Sequence, residues 1–216
     1  MAGLPFASRS GSCMRSPEKI YRSALDVKGW NARMPSVSSV RPGRCCGCGA
    51  ASRPAGGNLV VHGDGTRERQ LRGPETAAGP AVLTTVLARR YECQSCGACM
   101  LVVPREVLPR RLYTACAIAL ALALWALFGG TEAAVRARVS PLTVVGAAAW
   151  CRWVTLRRWA ADAAKRRLFA MSRRSPTEFT LRQHAERTAA GLAGLAPSGL
   201  DLDAAAFVGG GLHRPP

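Results

Sequence analysis

The chain has 216 residues and carries 30 Lys and Arg against 13 Asp and Glu, a net charge of +17. Solubility alone does not need such an excess; it points to a polyanion, either nucleic acid or an anionic membrane surface. The length allows one or two small domains. Nine cysteines, an odd number behind a start with no apolar leader, argue against a disulfide framework and for a reducing, cytoplasmic setting.

Residues 1–40 mix Ser, Gly, Pro and Arg without helical or strand periodicity, and such a segment buries too little surface to offset chain entropy. They read as a disordered basic arm. Residues 41–104 read as a zinc ribbon. Cys45-Cys46-Gly47-Cys48-Gly49 and Cys93-Gln94-Ser95-Cys96-Gly97 are two matching hooks in which C-x-x-C spacing lets both sulfurs reach one metal. Cys45, Cys48, Cys93 and Cys96 are the expected ligands of one structural Zn2+. Cys99 competes with Cys93 through the overlapping pair Cys96 and Cys99, Cys46 lies beside the first hook, and His62 is a poorly spaced alternative. Between the hooks, Asn58–His62 and Arg67–Leu71 flank Gly63-Asp64-Gly65, a hairpin signal. A strand from Val82 to Tyr91 follows the loop 73–80, and Met100–Val103 adds a last short strand. A ribbon of this size has too small a core to stand without its metal.

The uncharged run Leu112–Phe128 behind Arg110-Arg111 has two readings. One is a membrane helix with a cytosolic zinc ribbon attached. The other, favoured by the marginal length and the high alanine content, is the central helix of a small bundle. Gly129-Gly130 stop it, Thr131 caps a short helix over Glu132–Val139, and Ser140-Pro141 repeats a helix-start signal. Two short helices joined by tight turns are the helix-turn-helix pattern. A further helix from Trp153 toward Phe169 places Trp153, Leu156, Trp159, Ala160 and Ala163 on one side and a basic face on the other. Arg157, Arg158, Lys165, Arg166 and Arg167 are the expected DNA contacts, because arginine pairs with phosphates and guanine edges. Residues 131–190 carry +8 and residues 1–44 carry +6. Thr177–Ala190 reads as a polar helix without a true capping box, and 191–216 as a flexible tail. The expected fold is therefore α+β: a zinc ribbon, then a helix-turn-helix bundle over 105–190.

The runs Arg89-Arg90-Tyr91-Glu92-Cys93 and Pro104–Tyr113, with Trp125-Ala126-Leu127, Ala134-Val135-Arg136, Val139-Ser140-Pro141 and Thr155–Trp159 behind them, resemble bacterial zinc-ribbon plus helix-turn-helix proteins related to insertion-sequence transposases. The resemblance covers about residues 40–190 and implies a module that binds double-stranded DNA, with zinc on the four hook cysteines. Those transposases continue into a catalytic core with three metal-binding acids. This chain has only Glu178, Glu186, Asp201 and Asp203 beyond Phe169. No nucleotide-cradle, zinc-protease or nucleophile-elbow string occurs, and Gly209-Gly210-Gly211 reads as a flexible stretch rather than a phosphate cradle. The expectation is a non-enzymatic accessory or truncated transposase, with any catalysis supplied by a separate transposase chain. A zinc-ribbon protein-interaction module is the other reading.

Overall fold

The computed structural model describes residues 18–149, 151–170, 176 and 178–214. The chain is mixed α+β: strands β1 (Lys19–Arg22), β2 (Val61–Pro74), β3 (Ala81–Cys93) and β4 (Cys99–Val103) form one sheet in the order β1-β4-β3-β2. The helices are α1 (Val27–Ala32), α2 (Ala115–Ala126), α3 (Glu132–Val139), α4 (Val154–Ala164), α5 (Leu181–Ala193) and α6 (Leu202–Leu212), with a 3-10 turn at Gly146–Ala149. Two compact units result. The first takes residues 1–21, 35–67 and 89–102, and the second takes 22–34, 68–88 and 103–216.

The first unit holds both cysteine hooks. Its β3 and β4 pair antiparallel, with Tyr91 opposite Met100 and Glu92 opposite Cys99. The buried side chains Val61, Tyr91, Met100, Leu101 and Val102 are few, and Tyr91 completes its burial by donating its hydroxyl to the Val37 carbonyl at 2.8 Å. The expected hairpin at Gly63-Asp64-Gly65 does not form; β2 runs straight through it. A Cβ on Gly63 would sit 2.5 Å from Val37, and Asp64 pairs with Arg90 at 2.6 Å, so these residues serve close approach and pairing within a strand. Residues 18–40, expected to lack regular structure, include β1 and α1; the rest of that arm, 1–17, lies outside the described residues. What periodicity missed is local capping: the Asp26 side chain accepts from the Gly29 N–H at 2.7 Å and starts α1. Trp30 on that helix is buried in the second unit and donates its indole N–H to the Leu87 carbonyl at 2.9 Å.

The second unit is built around α2. Ten of its twelve residues are buried, and α3, α4, α5 and α6 all pack on it. The run 112–128 thus becomes a 12-residue core helix, capped by Thr114 accepting from the Ala117 N–H at 3.1 Å. Among the described residues no helix is long and apolar enough to cross a membrane. Residues expected to form a loose tail instead make α6, and its three glycines explain why. A Cβ on Gly209 would lie 1.8 Å from the Leu192 carbonyl oxygen, and one on Gly210 would lie 2.6 Å from the Ala119 Cβ. Only glycine lets α6 approach α5 and α2 this closely.

The Ser140 helix does not form. Ser140 is extended, with ψ 128°, and its Oγ accepts from the Tyr113 hydroxyl at 2.9 Å and from the Leu142 N–H at 3.3 Å. That bond uses the cap inside the core, so α3 is followed by a long connection and the two-helix tight turn expected over 132–150 is absent among the described residues. The α4 face pattern is as expected: Leu156, Trp159, Ala160 and Ala163 are buried. Trp153 and Trp159 meet Tyr113 edge-on at centroid distances of 6.0 and 4.9 Å. Helix α5 starts at Thr180 and not at Thr177, and contrary to expectation it has a true capping box. The Thr180 Oγ1 accepts from the Gln183 N–H at 3.3 Å while the Gln183 Oε1 accepts from the Thr180 N–H at 2.8 Å.

Candidate metal centre and basic face

The two hooks fold alike because they repeat the same hydrogen bonds. The Cys45 N–H donates to the Ala50 carbonyl at 2.9 Å, and the Cys93 N–H donates to the Ala98 carbonyl at 3.1 Å. The Gly49 N–H returns to the Cys45 carbonyl at 3.1 Å, and the Gly97 N–H to the Cys93 carbonyl at 2.8 Å. Gly49 and Gly97 have φ of 72° and 71°, the left-handed region in which a side chain is strained. Each hook therefore turns back and presents its two sulfurs in one direction. The bridge between Arg44 and Ala51 closes the first hook at its base.

The four thiols converge. The Sγ atoms of Cys45, Cys48, Cys93 and Cys96 all lie within 4.8 Å of one another, close enough to hold a metal ion. Cys45 Sγ is 3.5 Å from Cys96 Sγ, and Cys48 Sγ is 3.8 Å from Cys93 Sγ. A tetrahedron with metal–sulfur bonds of about 2.3 Å has sulfur–sulfur edges of about 3.8 Å, so the pocket between the thiols fits a single ion. Cys45 and Cys93 are buried and Cys48 and Cys96 exposed, which places the cluster at the surface of its unit.

Donors around the sulfurs prepare this site. Burial pushes the Cys45 thiol up, but the backbone N–H groups of Cys48 and Gly47 and the neighbouring thiols outweigh it, and its pKa falls to about 6. The Gly47 N–H is 3.3 Å from that sulfur. Cys96 shows the opposite balance: the Ala98 N–H lowers its pKa, while burial and three adjacent thiols push it up to about 12. Four sulfurs this close do not all ionise without a cation to share.

The alternative ligands stand outside the cluster. Cys99 Sγ faces the Arg90 guanidinium at 3.4 Å, Cys46 Sγ points to the Cys99 carbonyl at 3.9 Å, and the exposed His62 bonds the Leu59 carbonyl at 2.8 Å through Nε2. Arg89 and Arg90 are engaged too, Arg89 with the Pro35 carbonyl at 2.8 Å and Arg90 with Asp64.

In the second unit the five expected basic contacts divide. Arg158, Lys165, Arg166 and Arg167 are exposed, on the side of α4 and its following turn away from the buried face. Arg157 is different: its Nε donates to Glu132 at 2.8 Å, and the same carboxylate accepts from the Trp153 N–H, so Arg157 clasps α3 to the start of α4. Arg136 and Arg138 also hold backbone carbonyls, those of Ala148 and Ala149 and those of Ala77 and Gly79. Arg182 donates to the Trp125 carbonyl at 2.6 Å and lies over the Trp125 ring. Much of the +8 over 131–190 is therefore structural, a use of arginine that charge counting does not separate from ligand binding. Compared with known proteins, the chain matches no family model, no curated protein and no solved structure, and the geometry of the thiol cluster and of the basic face carries the functional reading.

Proposed function

We propose that the chain is a DNA-binding protein whose first unit is held by one structural zinc ion and whose second unit meets the duplex backbone. Four thiolates at tetrahedral spacing, with no carboxylate or imidazole among them, suit a soft divalent ion, and zinc is the usual occupant of such a closed site. The observation that carries the DNA reading is the exposed set Arg158, Lys165, Arg166 and Arg167, which no side-chain carboxylate among the described residues pairs. Asp162, the acid on the same helix, is already taken by Arg111. In a chain of net charge +17, such a face favours phosphate. Cations of this kind meet backbone phosphate first, so the contact is chiefly one of charge. The resemblance to transposase-related proteins fits an accessory that a separate catalytic chain accompanies.

Binding to random-sequence duplex DNA at about 50 and about 200 mM salt tests this. Affinity should fall steeply over that interval, as it does whenever cationic side chains release condensed counterions. Binding that ignores salt, or none at all, would replace DNA with a protein partner.

A further inference from the structure

The second unit contains a cavity of about 350 Å³ that neither the metal centre nor the basic face uses. Its apolar wall is Val27, Leu71, Pro74 and Phe207, and its polar wall holds both acids and bases. The acids are mostly engaged already. Asp26 caps α1 and lies 3.5 Å from Arg105, while Glu106 accepts from the Val27 N–H at 2.8 Å and faces the Cys116 thiol at 3.7 Å. Burial also raises the Glu106 pKa and favours its neutral form. The hydroxyls of Thr76 and Thr114 accept from the Gly79 and Ala117 N–H groups.

What remains without a partner is chiefly cationic. Arg72 is half-buried, its Nε is shut off from solvent, and no acceptor among the described residues meets it. Its backbone is pinned on both sides, N–H to the Leu112 carbonyl at 2.7 Å and carbonyl to the Thr114 N–H at 3.1 Å, and its guanidinium lies 6.0 Å from the Tyr113 ring centroid. Lys28 stands exposed at the cavity rim, and Glu75 is the one carboxylate of the lining with no bond of its own among the described residues. A guanidinium nitrogen shut off from water without an acceptor is costly to keep, and a cavity of this size takes a small molecule.

We propose that this cavity binds a small organic oxyanion, a carboxylate or phosphate carried on a compact apolar body. The oxyanion meets Arg72, with Lys28 adding long-range attraction, and the body lies against Leu71, Val27 and Phe207. The site is independent of the DNA reading, since none of its residues belongs to the α4 face.

Calorimetric titration of the full, metal-loaded protein with benzoate, phenyl phosphate and inorganic phosphate, and with neutral benzamide as control, tests it. At least one aromatic anion should bind saturably and benzamide about tenfold more weakly or less, the loss expected when a charge-assisted bond is removed. Benzoate against phenyl phosphate separates the carboxylate from the phosphate source. Arg72→Gln should cost about tenfold or more, and the exposed Lys28→Gln, which puts no packing at risk, should weaken binding by a smaller factor. Duplex DNA affinity should be unchanged in both variants. The proposal is overturned if no anion saturates, if benzamide binds as well as benzoate, or if Arg72→Gln binds as the parent does.

Discussion

The two units of this chain are held by different means. Among the described residues of the first, the buried apolar side chains beside the cysteine ligands are Pro42, Val61, Tyr91, Ala98, Met100, Leu101 and Val102, and the four thiols are its most concentrated feature. The second has a continuous apolar cluster from Leu108 to Phe207, centred on a helix of alanine and leucine, and contains no comparable group of metal ligands among its described residues. On the proposed reading the small core leans on a metal, since a closed thiolate site contributes about 10 kcal/mol or more to folding. A large core leans on close packing, where errors of one methylene are felt.

The sharpest way to break this contrast is to remove the proposed metal. Cys48→Ser or a strong chelator should unfold the first unit while leaving the second intact. Hydrogen exchange would show amides of 89–102 losing protection as those of α2 keep it, and simultaneous loss in both would mean that the units fold as one. Next in size is damage to the packed unit. Gly210→Val, which drives side-chain carbons into Ala119 and the Ala115 carbonyl, should cost about 3 kcal/mol or more, as should Leu120→Asp, which buries a carboxylate without a partner. Denaturant melting with a thiol-reactivity assay for released metal checks that the first unit stays loaded.

The basic face gives a smaller and more selective effect. Alanine at Arg158, Lys165, Arg166 and Arg167 should flatten the dependence of log affinity on log salt by about 0.9 for each phosphate left without its cation. Arg157→Ala should leave that slope alone and lower stability by at most about 1 kcal/mol, because its pair with Glu132 is partly exposed.

The smallest expected effect is a pH dependence confined to the second unit. Burial, and then the charge of Arg22, lower the His213 pKa below its usual 6.5, against a hydrogen bond that the ring donates to the Ala170 backbone, which raises it. The ring packs edge-on against Phe169. The unfolded chain then takes up a proton more readily than the folded one, so stability is fully present above pH 6.5 and falls as the pH drops toward the folded value. His213→Phe should remove this component, seen as the difference between the two proteins in melting temperature across about pH 5 to 8.

What the sequence revealed depended on how local each signal was. The hooks were legible because C-x-x-C followed by glycine encodes a metal turn within five residues, and the four ligand positions converge as that spacing implies. The burial of α2 and the buried side of α4 followed from composition and period. The misses came where a distant partner decides. Ser140 carries a start signal that Tyr113 overrides, and Gly63 looks like a turn until Val37 comes into view. Gly209–Gly211 has the composition of a flexible stretch and becomes helical only because two other helices leave room for no side chain.

That glycine-lined helix also sets an order of events during synthesis. Helix α2 emerges from the ribosome long before α6, the element that must slide against its alanines, so α2 remains an uncovered apolar rod while the intervening helices are made. A nascent chain in this state is a natural client for chaperones that hold short apolar segments. Any substitution that slows the docking of α6 should therefore be felt first as aggregation during expression, before it is felt as lower stability in the finished protein.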